Sequence, residues 1–248
     1  MPFTASHPAA VLPFLRTSLP MSALVAGSLA PDVPFYVPGT GVPGTHPRTH
    51  TAVGTVTVDV LIGGACWALW HGVLAPPALA VAPSGLRGRL AGRVEPGLRR
   101  RLASPGDAAR VLAALAVGAA THVGWDEFTH AGRWGAEHVP LLGGSRGGRP
   151  VTEWAQDASG VVGAAVLARW LGRWWRATPA RPVAAAPASR WAWLVPAVGV
   201  LSGGAAGRTQ PDLRSAATAA VFSGGGTSAL TGVLLALGWH ARRRRGRR

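Results

Sequence analysis

Residues 108–130 read AARVLAALAVGAATHVGWDEFTH. The first part, Ala108–Gly124, is an apolar run close to the about 20 residues that a helix needs to cross a hydrocarbon core. The second part sets ionisable side chains at the end of that run. On a helix, His122, Asp126 and His130 stand at i, i+4 and i+8 and share one face. His122 and Asp126 are spaced to chelate one metal ion. His130 falls about 12 Å from His122 along the axis at 1.5 Å per residue. It would therefore serve a second ion or a substrate, unless the helix ends near Asp126. Ionisable side chains beside a membrane span are costly and mark functional sites.

Working outward, other stretches repeat the apolar pattern. Thr51–Leu74 and Ala158–Trp175 come close to spanning length, and a pair follows at Trp191–Gly207 and Ser215–Trp239, split by the polar turn RTQPDLR. Pro8–Leu15 and Met21–Ala30 are apolar but short, with Arg16 and Pro20 between them, and predict a hairpin of two short helices. The fold expected is all-α: a multi-pass transmembrane helical bundle of about five spans plus this N-terminal short-helix hairpin. It divides into a membrane-embedded core over residues 1–176, a cytoplasmic linker over 177–190, and a C-terminal helical hairpin with a basic tail over 191–248. Gly203, Gly204, Gly207 and Gly224–Gly226 predict close helix packing in that hairpin. Trp170, Trp174, Trp175, Trp191 and Trp193 sit near span ends, as interfacial aromatic belts do.

Composition agrees. Of 248 residues 48% are hydrophobic and 14% charged, against about 25% charged in soluble domains. Net charge is +15 and every basic side chain is Arg. The arginines cluster beside apolar runs: Arg87–Arg101, Arg173–Arg190 and the tail ARRRRGRR. The positive-inside rule puts all three clusters on the cytoplasmic side of an inner membrane, C-terminus included. An alternating trace through the spans gives the same answer. Stacking or groove-reading elements are absent from the sequence, so nucleic acid is not the expected partner; the lipid bilayer is. The start lacks a basic region before its apolar stretch and does not read as a cleavable signal. The lone Cys66, inside an apolar run, excludes a disulfide framework.

This topology gathers His and Asp residues on the non-cytoplasmic face. Asp32 follows an apolar stretch in APDVPFY, His46 and His50 precede a span in THPRTHTAVG, and His122, Asp126 and His130 end another. His7, in TASHPA, joins them if the N-terminal segment is a hairpin. Imidazoles and carboxylates from several helices are what a metal site with an open water position requires. Asp59, about two turns into the first full span, is a candidate for orienting a His ligand or for an interhelix hydrogen bond. Arg48 and Arg133 are candidates for holding a phosphate, since a guanidinium fork matches its oxygens. There is no nucleophile elbow, phosphate loop or dinucleotide fingerprint.

The stretches MPFTASHPAAVLP, SALVAGSLAPDVPFY, THVGWDEFTH and EWAQDASGVVG together resemble, in that order, the bacterial membrane proteins grouped as domain of unknown function family 4184. That family carries no activity to transfer. A looser resemblance is to inner-membrane proteins labelled metal-dependent hydrolases, themselves distantly similar to zinc-dependent phospholipase C. Those share an early His, a Pro-Asp after a hydrophobic stretch, a Thr-His-Ser motif before a span and an H-x-x-x-D helix. The counterparts here are His7, Asp32, His50 and the pair His122 and Asp126. Thr51 stands where that motif has Ser, and His46 is an extra candidate.

The leading expectation is a membrane-embedded metal-dependent hydrolase of a lipid or lipid-linked phosphoester at the outer face. His7, Asp32, His50, His122 and Asp126 would hold divalent metal, zinc first, with Asp32 and Asp126 catalytic. The alternatives are a non-catalytic scaffold, in which the same residues form polar networks between helix ends, and a small-solute or ion transporter. The transporter ranks third because only Asp59 and Arg110 lie well away from loops.

Overall fold

The computed structural model describes residues 4–37, 48–91, 97–184 and 190–246. The described chain is almost entirely helical. Its one sheet is a two-stranded hairpin, Ser145–Arg146 against Arg149–Pro150, so the all-α expectation holds. Among the described residues, three helical stretches are long and apolar enough to cross a membrane: Val58–Val81, Pro105–His138 and Leu213–Arg245.

The helices start and stop for local reasons. Helix α1 is Met21–Leu29. It follows a 3-10 stretch, Thr4–Arg16, whose Pro8 and Pro13 lack the N–H that an α-ladder needs. Helix α2, Val58–Leu69, runs through one π-helical turn, Trp70–Leu74, into Ala75–Val81. The sequence places this element seven residues earlier. The difference comes from a turn: Thr51 donates its hydroxyl to the Arg48 carbonyl, and the Gly54 N–H donates back to Thr51. A Cβ at Gly54 would lie 2.3 Å from the Arg48 oxygen, so only glycine closes this turn. Helix α3 is Pro105–Thr129. Ser104 and Asp107 form a reciprocal capping box with Pro105 in the first turn, which starts the helix ahead of the apolar run. Helix α4 is Val151–Ala177, α5 is Leu194–Arg208 and α6 is Leu213–Arg245. At 15 residues, α5 is about 22 Å long, short of the about 30 Å hydrocarbon core. Helix α4 is long enough but carries Glu153, Asp157, Arg169, Arg173 and Arg176.

The chain forms two compact units, each drawn from separate stretches. Unit 1 comprises Met1–Val33, His46–Trp67 and Leu102–Ala177. Its core is the α1–α3 contact, with Ala23, Leu24, Ala114, Leu115 and Ala119 fully buried. The two backbones nearly touch. A Cβ on Gly27 would meet the Leu115 carbonyl oxygen at 2.1 Å, and one on Gly118 would meet the Leu24 oxygen at 2.2 Å. The Thr4–Arg16 stretch packs on α1, α3 and α4, and the Trp67 indole donates to the Ser22 hydroxyl at 2.9 Å. Unit 2 comprises Pro34–Thr45, Ala68–Arg101 and Thr178–Arg248. There α5 packs on α6 through Gly199, Gly203 and Gly224, the small-residue contact expected of this pair, and His240 bonds the Val73 carbonyl at 3.0 Å.

Gly118→Leu forces backbone apart at the α1–α3 crossing and is expected to cost about 3 kcal/mol or more. A Cβ at Gly124 meets nothing within 4 Å, so Gly124→Ala should gain up to about 1 kcal/mol from helix propensity. Thermal unfolding of the two variants in detergent checks both signs.

Candidate metal centre

The buried face of α3 runs through Val111, Ala114, Leu115, Gly118, Ala119, His122, Val123, Asp126 and Thr129. The spacing of three and four that packs the helix on α1 continues past the apolar residues. The last turns therefore deliver an imidazole and a carboxylate to the same interior. Asp32 arrives from the 3-10 turn Ala30–Tyr36 directly after α1, His7 from the Thr4–Arg16 stretch, and His50 from the turn that precedes α2.

The four groups form a closed square of contacts. His50 Nε2 lies 3.2 Å from Asp32 Oδ1 and 3.5 Å from Asp126 Oδ2. His122 Nε2 lies 3.6 Å from Asp32 Oδ1 and 3.5 Å from Asp126 Oδ2. The other oxygen of Asp126, Oδ1, has His130 Nδ1 at 3.5 Å and His7 Nε2 at 4.0 Å. The His7 ring stacks on His122 with centroids 3.7 Å apart. Two sets, His7 with His122 and Asp126, and Asp32 with His50 and His122, each have ligand atoms within 4.8 Å of one another. Either set could hold a metal ion.

Neighbouring groups fix the state of each ligand. His122 Nδ1 lies 2.7 Å from the Ser28 carbonyl. A carbonyl only accepts, so the proton is on Nδ1 and Nε2 is the atom turned to the cluster. Thr49 Oγ1 sits 3.0 Å from His50 Nδ1 and plays the same part there when it accepts. Thr4 donates to Asp32 Oδ2 at 2.6 Å. Burial works against the Asp32 carboxylate, but the imidazoles of His122 and His50 and the Thr4 hydroxyl outweigh it and hold its pKa well below the usual range. Burial, reinforced by His122, pulls His7 down to about 4, so at neutral pH its imidazole is an uncharged donor. Among the described residues, His7 Nε2, His122 Nε2 and Asp126 Oδ1 are buried without a hydrogen-bond partner. Buried polar atoms are rarely left so.

The remaining candidates fall into place around the square. His46 lies outside the described residues. Asp59 is fully buried at the start of α2, and neither of its oxygens has a hydrogen-bond partner among the described residues; it belongs to neither ligand set. Arg48 is exposed, and its backbone carbonyl accepts from Thr51 in the turn before α2. Arg149 ties Glu153 and Asp157 together at the start of α4.

The model of the family described as Domain of unknown function (DUF4184) matches residues 1–237. The chain belongs to this family. The match takes in the whole DUF4184 cluster from His7 to His130 and all but the end of the third candidate span. No curated protein and no solved structure matches the chain.

Arg133 of this DUF4184 chain has a role that spacing does not reveal. His50 is the one described non-glycine residue with positive φ, at 61°, a conformation costing about 1–2 kcal/mol for a side chain with a Cβ. Arg133 Nη1 donates to the His50 carbonyl at 2.8 Å and also approaches Glu127 Oε1 at 3.4 Å. Glu127 in turn accepts from the Trp134 N–H. The guanidinium thus clamps the strained backbone that aims the His50 ring. Arg133→Ala is expected to weaken divalent-metal retention about tenfold, the size typical of outer-sphere partners, with partial rescue by Arg133→Lys. Competition against a chelator of known affinity measures both.

Proposed function

We propose that the cluster is a zinc-type metal centre, and that it serves a membrane-embedded hydrolase of lipid or lipid-linked phosphoesters. The observation that carries this is the square itself. Ligand atoms about 2.0–2.1 Å from a tetrahedral zinc ion stand about 3.4 Å apart, and the four imidazole-to-carboxylate separations are 3.2, 3.5, 3.6 and 3.5 Å. Asp32, His50 and His122 would hold one ion. His7, His122 and Asp126 form the other set that would hold an ion, beside His130, whose side chain is a quarter exposed.

Bound divalent metal lowers the pKa of a water molecule toward about 7. Hydrolysis at such a centre would break the bond from phosphorus to the ester oxygen, with water supplying the hydroxyl to phosphorus and the proton to the departing oxygen. Asp32 has Oδ2 held by Thr4 and Oδ1 turned to His50 and His122, which suits a ligand better than a free base. Exposed Arg48 is the candidate phosphate anchor. The chain has helices apolar enough for the membrane, which favours a lipid or lipid-linked substrate over a soluble one. A polar network of scaffold type would leave fewer atoms orphaned than the three found here.

Elemental mass spectrometry of the detergent-purified chain should find near-stoichiometric zinc or more, lost in His122→Ala and Asp126→Ala variants that remain folded. His7→Ala should lower the metal content and keep the ion held by Asp32, His50 and His122. Chelation should abolish, and zinc restore, phosphate-ester cleavage in mixed phospholipid micelles. No bound metal after reconstitution with excess ion would overturn the proposal.

A further inference from the structure

Unit 2 carries a feature unrelated to the metal centre. A cavity of about 790 Å³ lies along α6 from Ser228 to Arg242, bordered also by the Trp70–Val81 stretch and by the start of α5. Along α6 this covers about 21 Å at 1.5 Å per residue, longer than one leaflet's half of the hydrocarbon core, about 15 Å. Its walls are apolar: Leu74, Pro77, Val81, Val195 and Leu235 are typical. The cavity is open rather than enclosed, and only 17% of the apolar window of α6 is buried inside the protein.

The charge at one end decides what fits. Arg242, at the C-terminal end of the groove, is the one charged residue of the lining, and no acidic residue joins it among the described residues. Trp239 lines the same end, and the Arg243 guanidinium lies 4.7 Å from the centre of its ring. An apolar trough that ends in a Trp–Arg pair matches a molecule with a long hydrocarbon chain and an anionic head. A guanidinium fork suits phosphate oxygens, and tryptophan sits well at headgroup depth. We infer that this groove binds one anionic phospholipid, an acyl chain along α6 and the phosphate at Arg242.

Native mass spectrometry of the full chain, titrated with phosphatidylglycerol and phosphatidylcholine of matched chains, tests this. The parent should retain phosphatidylglycerol about fivefold better, the preference that one arginine near an anionic headgroup provides. Arg242→Ala should bring the two lipids level, whereas Arg244→Ala with Arg245→Ala should leave the preference in place. Gly232→Trp should lose both lipids; a Cβ there meets nothing within 4 Å. Equal binding of the two lipids by the parent would overturn the inference. So would a preference that survives Arg242→Ala but vanishes with the tail pair, or unchanged binding in Gly232→Trp.

Discussion

Two carboxylates, Asp32 and Asp126, lie 2% and 3% exposed in one interior, and the rest of unit 1 is arranged around that fact. Removing a carboxylate from water costs several kcal/mol even after relaxation. One carboxylate can be offset by hydrogen bonds; two facing the same imidazoles require positive charge between or beside them. The interior answers with His7, His50, His122 and His130, with the Thr4 hydroxyl, and with room among the ligand atoms for a cation.

The close crossing of α1 and α3 makes the convergence possible. Gly27 and Gly118 let the helix backbones touch, which brings the Ser28 carbonyl to His122 and the Pro-Asp turn after α1 to the end of α3. A wider crossing would separate Asp32 from His122 by the thickness of an extra side chain, and the square of contacts would open. Packing of small residues and placement of ionisable ones are therefore the same event on this helix face.

Much of this was legible in the residues. The i, i+4 spacing of His122 and Asp126 reads directly as one helix face, and the short apolar segments around Pro20 read as the hairpin that carries His7 inward. The limits are also physical. Periodicity places α2 too early because it cannot see a side-chain turn at Thr51. It puts His130 far from His122, yet both meet Asp126, one on each carboxylate oxygen. Thr4, Thr49 and the Ser28 carbonyl act through local bonds that leave no periodic trace. Arg133 reads as a phosphate ligand by type, but its contact with the left-handed His50 backbone appears only in three dimensions. The count of spans is the coarsest part of the reading, since α4 is charged and α5 is short.

The discontinuous origin of unit 1 also sets an order of events during synthesis. The Ser28 carbonyl and its partner His122 are separated by 94 residues. At about 5–20 residues per second this is a delay of about 5–20 s. Through that interval the Asp32 carboxylate has neither the imidazole nor the helix that later enclose it, so the hairpin bearing it must remain hydrated. The interior closes only when α3 arrives and brings His122 and Asp126 to it, late in the life of the nascent chain.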